Sequence, residues 1–137
     1  MYKFKLINQA MMTRTVELEN EETGTIEICF DDSALISDEN NFEFMKIGMS
    51  YNCKISLLGV EVDKIGERTF ECVIINTDVY VGRTKYIEVV INSDKYYIYK
   101  KDVEESVKKK TKLMYKVSRK DLIQVDGVVH QDLLCDF

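Results

Sequence analysis

The 137-residue sequence contains no proline, and His130 is its only histidine. Proline makes up roughly 5% of an average protein, so the turns here must come from glycine, Asx and Ser residues. All six glycines (Gly24, Gly48, Gly59, Gly66, Gly82 and Gly127) fall at expected turns or element ends. No apolar run approaches the roughly 18 residues that a membrane-spanning helix needs. The first residues, Met1 to Ile7, are charged and alternating, and too short to form a signal peptide. Neither Gly-x-x-x-x-Gly-Lys nor Gly-x-Gly-x-x-Gly is present, so no phosphate-cradling loop is expected. There is no low-complexity linker and no internal repeat, and one domain over residues 1–137 is expected.

The four cysteines, Cys29, Cys53, Cys72 and Cys135, include no Cys-x-x-Cys pair, which removes the spacing of a metal site. Cys53 and Cys72 lie among apolar strand residues. Reduced, buried thiols in a cytoplasmic protein are the expectation, with no metal and no cofactor.

What is present is alternation. With 45% hydrophobic and 31% charged residues, the chain has the makings of a soluble domain with an ordinary core. Its net charge is −5, unevenly spread. Up to Thr84 there are 8 basic and 15 acidic residues; from Lys85 there are 11 basic and 9 acidic. The acidic part argues against general polyanion binding, and the basic part leaves that open locally.

The clearest stretch runs from Arg83 to Val103 and reads as a β-hairpin entering a helix. Period-two alternation puts Ile87, Val89, Ile91, Tyr96 and Ile98 inside and Glu88 outside. A turn at Ser93-Asp94 sets Ile91 opposite Tyr96, Val89 opposite Ile98, Val90 opposite Tyr97 and Glu88 opposite Tyr99. An earlier hairpin joins residues 14–19 to residues 25–31 through Asn20–Gly24. It puts Ile26, Ile28 and Phe30 inside and Glu27 and Cys29 outside. Tyr2, Phe4 and Leu6 share one face of a first strand. Tyr51 to Leu57 forms a strand that continues to Val62, with a bulge or bend at Gly59. Residues 68–76 form another strand and 76–82 a connection. Asp102 reads as the N-cap of a helix near 102–112, with Glu105 three residues on. Residues 113–117 read as a strand, 118–121 as a helical turn or loop, and Asp126-Gly127 as a tight hairpin. The apolar end, Leu133 to Phe137, docks on the body or on a neighbouring subunit. These elements predict a mainly β fold: a small antiparallel barrel or sandwich, OB-like among the candidates, with about seven strands and one short helix.

Four groups carry candidate chemistry. Asp31-Asp32 is a carboxylate pair, but strand neighbours point opposite ways. Asp32 with Asp38 or Glu39 could hold a cation, although a solvated acidic loop is the simpler reading. His130 has no neighbouring nucleophile and reads as a surface histidine. Lys108–Lys112 reads as a solvated helix end. Tyr86, Tyr97 and Tyr99 form an outward aromatic face, with Glu88, Lys85 and Lys101 beside it. An apolar centre with a charged edge suits a protein interface. It also suits base stacking against cations. The alternative is that Leu133–Phe137 or the helix covers this face and turns it into core.

The leading expectation is a non-catalytic binding domain contacting another protein. In general character it is similar to bacterial immunity proteins and inhibitors. An OB-type single-stranded nucleic acid binder is second, and a small hydrolase third.

Overall fold

The structure is a computed structural model that describes residues 1–10 and 13–134. The elements are β1 (Tyr2–Ala10), β2 (Thr13–Asn20), β3 (Ile26–Asp31), a short α1 (Ser33–Ile36), β4 (Ser50–Tyr51), β5 (Cys53–Glu61), β6 (Thr69–Val81), β7 (Thr84–Ile91), β8 (Asp94–Tyr99), α2 (Lys100–Val107), β9 (Lys112–Val125) and β10 (Val128–Val129). A 3-10 turn, Gln131–Leu134, follows. Among the described residues the sheet has ten strands, more than the seven expected. Strands β9, β5, β8, β7 and β6 are neighbours in that order, and pairing of β6 with β9 closes them into a five-stranded barrel. Strands β4, β1, β2 and β3 extend from the barrel at β9.

Two glycine readings hold. Gly24, at φ 76°, ends the β2–β3 turn. At Gly59 the β5–β9 register shifts, and an added Cβ would lie 1.9 Å from the Lys116 carbonyl oxygen. Only glycine lets the two backbones approach that closely.

The central hairpin keeps its faces but not its pairing. Val89 lies opposite Tyr96, Ile87 opposite Ile98 and Glu88 opposite Tyr97. The turn is Asn92-Ser93, both at positive φ (49° and 78°), as a two-residue hairpin turn requires. The pairing moves by two residues, which leaves every side chain on its predicted face. Asp94 is thereby freed from the turn. Its carboxylate, buried, accepts hydrogen bonds from Thr23 (2.6 Å), Thr25 (2.7 Å) and Asn20 (3.3 Å). Asp94 thus ties the β7–β8 turn to the β2–β3 turn.

The largest correction concerns β3. Ile26 and Ile28 are 48% and 51% exposed, and Glu27, Cys29 and Asp31 are buried. The strand faces the opposite way from the expectation. Three polar attachments hold it there. Arg14, inward on β2, lies opposite Asp31 and forms a buried ion pair with it at 2.7 Å. Glu27 forms an ion pair with Lys120. Thr25, just before the strand, is held by Asp94. Turned the other way, the strand would leave buried Arg14 without its carboxylate, which costs several kcal/mol, about what burying two isoleucines returns. The ion pairs therefore decide the facing.

Smaller differences have local causes. A register shift between Phe4 and Leu6 sets Leu6 opposite Glu17, on the outer face. Residues 76–81 continue β6 through two irregularities rather than forming a connection. Residues 118–121 continue β9, their polar character reflecting exposure rather than a break. The helix starts at Lys100 directly from β8, with Tyr99 in the capping place, so Asp102 lies in the first turn instead. Val103 is buried with non-helical φ/ψ and kinks it. No helix among the described residues is long and apolar enough to cross a membrane.

Burial also shapes the response to alkali. It pushes Tyr86 and Tyr115, and the thiols of Cys53 and Cys72, up to about 12. It raises Tyr96 and Tyr97 further, and lifts the Cys29 thiol well above its ordinary value. Unfolded thiols and phenols ionise near 9 and 10, while the folded groups stay neutral. Stability is then fully present below about pH 9 and falls as pH rises towards 12, because the native state binds more protons there. The melting temperature should decline steadily over that window. A flat profile to about pH 11 would contradict the burial of these groups.

Candidate interaction surface

Two adjoining depressions lie where β3 meets the barrel, and Phe30 and Arg119 line both. The first is an open cleft of about 600 Å³. Tyr86 and Tyr99 stand in its wall with rings edge to face, 6.0 Å apart. Several of its polar groups are paired with one another. Arg119 makes a forked contact with Asp121 (2.6 and 3.0 Å) and lies over the Phe30 ring at 4.3 Å. Tyr86 hydrogen-bonds with Ser56.

His130 is buried, not on the surface as expected. Its Nδ1 accepts the Asp132 backbone N–H at 3.2 Å, so the ring proton sits on Nε2, which is 2.6 Å from Asp32 Oδ1. Both nitrogens are therefore engaged within the chain. The contact clasps the loop after β3 to the C-terminal turn. Asp31 and Asp32 point apart, one to Arg14 and the other to His130. Among the described residues no group of three or more His, Cys, Asp or Glu side chains could hold a metal ion.

The tyrosine face is not an open surface. Tyr86 and Tyr97 are 5% and 7% exposed and form a second apolar cluster with Val81 and Ile123, with Val79, Tyr99, Val129 and Leu133 packed against it. Leu133 covers it from the C-terminal turn, while Cys135 to Phe137 lie outside the described residues. The Tyr97 hydroxyl donates to half-buried Glu88 at 2.8 Å. Lys85 and Lys101 are exposed, and Lys85 lies over the ring of Tyr80.

The second depression is a groove of about 430 Å³ between β3, the middle of β9 and the start of β6. Ile26, Ile28, Phe30, Phe70 and Val117 give it an apolar lining. Arg68, Arg119 and Lys120 add three cations, and among the described residues no carboxylate lines it. Sequence reading missed this surface because it assigned Ile26 and Ile28 to the core. One signal for it was there: Cys29, an apolar residue, on the face read as outside.

No protein family, curated protein or solved structure matches this sequence.

Proposed function

We propose that the protein is a non-catalytic interaction domain that binds another protein through the outer face of β3. The observation that carries this reading is the reversed facing of that strand. Two isoleucines are left half in water while Glu27 occupies the interior. Fully burying such a side chain stabilises by about 1.5–3 kcal/mol, a gain that the isolated chain leaves unrealised and a partner can supply. Contiguous exposed apolar side chains rimmed by charge are the mark of a protein contact. The Arg119–Asp121 pairing in the cleft and the doubly engaged His130 support a non-catalytic role. Free thiols at Cys29, Cys53 and Cys72 support a reducing, cytoplasmic setting.

A photo-crosslinking residue at position 28 tests this. In an extract of the native cells it should give a discrete adduct with another protein. The same residue at exposed Glu104 should not. Adding Ile26→Glu should remove the adduct while leaving the melting temperature unchanged. Equal labelling at both positions, or none, would sink the reading.

One observation favours the nucleic-acid reading. The barrel strands pair in the order β9-β5-β8-β7-β6, with β5 parallel to β8 and α2 between β8 and β9. That order supports an OB-like barrel whose last strand has moved to the front. Against it, among the described residues four aspartates and one arginine line the cleft beside Tyr86 and Tyr99, where phosphates would be repelled. Binding to a labelled oligonucleotide that weakens steeply with salt would favour this second reading.

A further inference from the structure

We propose that the groove beside β3 accepts an extended segment of a partner protein as an added β-strand, with alternating apolar and acidic side chains. This rests on the interaction reading above and specifies its partner. On one side β3 pairs with β2 from Ile26 to Asp31. On the other side, among the described residues, it pairs only at Phe30, with Asp121 of β9. The edge from Ile26 to Cys29 therefore presents unpaired backbone groups, a template for strand addition.

The opening has a definite cause. Strand β9 pairs with β6 as far as Lys116, and the Val117 N–H reaches the Arg68 carbonyl at 2.8 Å. From Ser118 to Lys120 it pairs with neither β6 nor β3, and the Ser118 hydroxyl turns the other way, to the Leu58 carbonyl. Strands β3 and β6 thus fork from one edge of β9, and the groove is the space between them.

The lining states the chemistry of the occupant. Ile26 and Ile28 project at period two, so an incoming strand meets them with every second side chain. The charges select acidic residues for the others. Lys120 is engaged by Glu27 and Arg119 by Asp121, but Arg68 has no ion-pair partner among the described residues. It stands at the groove's far wall beside Phe70. Main-chain hydrogen bonds would supply affinity, and the isoleucine and arginine contacts would supply selectivity.

The test is selection from a displayed library of random peptides on the intact protein, with Ile28→Glu as counter-selection. Enriched peptides should alternate apolar and acidic residues. Arg68→Glu should weaken a selected peptide about tenfold or more in fluorescence polarisation, while circular dichroism stays unchanged. Backbone N-methylation of the peptide should cost about tenfold at alternate residues and little at those between, because a strand bonds its neighbour with every second residue. Peptides enriched in lysine, a methylation profile without period two, or no enrichment over the counter-selected protein would each overturn strand addition. So would a dimer in sedimentation that Ile28→Glu dissolves, since the groove would then belong to a second copy. A position-28 crosslink to another protein without such peptides would leave the interaction reading standing and remove this one; loss of both would remove both.

Discussion

Replacing Arg14 by methionine is expected to lower the unfolding free energy by about 3–5 kcal/mol, a large share of the total for a domain this size. The guanidinium Nε lies 2.7 Å from Asp31 Oδ2, and Nη2 donates to the Phe42 carbonyl at 2.6 Å. Both ionic side chains are buried. Asp31 Oδ1 accepts the Ser33 N–H at 2.9 Å, and the Ser33 hydroxyl accepts the Phe42 N–H at 3.0 Å. Arg14 therefore joins two strands to the loop after β3. Without it, a carboxylate stays buried with one N–H for company, and Phe42 loses its tether. Asp31→Ala should cost a similar amount by leaving the guanidinium unpaired. The double variant Arg14→Met with Asp31→Leu removes both charges, and should be more stable than either single variant. Urea unfolding of the four proteins measures the cycle. Single variants within about 1 kcal/mol of the parent, the behaviour of an exposed pair, would contradict the buried geometry.

The same ion pair shows what was and was not legible in the sequence. Alternation divides a strand into two faces but does not say which one is buried. For β7 and β8 the two faces differ enough in apolar character that the assignment held. For β3, hydrophobicity favoured Ile26 and Ile28 inward, and it lost to Arg14, 17 positions from Asp31, and Lys120, 93 positions from Glu27. Asp94 is the other hidden determinant. Asn, Ser and Asp all suit a turn, so local chemistry could not place the β7–β8 turn. The bonds from Thr23 and Thr25, about 70 residues away in sequence, did so. Glycine-dependent features were read well at Gly24 and Gly59, because there the constraint is local backbone geometry and close approach. The tyrosine cluster was correctly seen as one group. Its exposure was not, because the cover comes from Leu133 and Val129, on residues whose course alternation does not specify. His130 was misplaced for the same reason, its partner Asp32 lying 98 residues earlier.

The account's central claim is that β3 turns Ile28 to solvent and Cys29 to the interior. Neighbouring positions on one strand make this a direct comparison. Cys29 is fully buried, and burial also raises its thiol pKa, so little thiolate forms and little reagent reaches it. A cysteine replacing half-exposed Ile28 has neither protection. The measurement is maleimide labelling of the native Ile28→Cys protein, followed over time and mapped by peptide mass. Residue 28 should be modified about as fast as an unstructured thiol, and Cys29 should stay unmodified until urea unfolds the chain, a difference of at least about a hundredfold in rate. Rapid labelling at Cys29 with protection at position 28 would mean that the strand faces the other way, and the groove with its proposed partner would not exist.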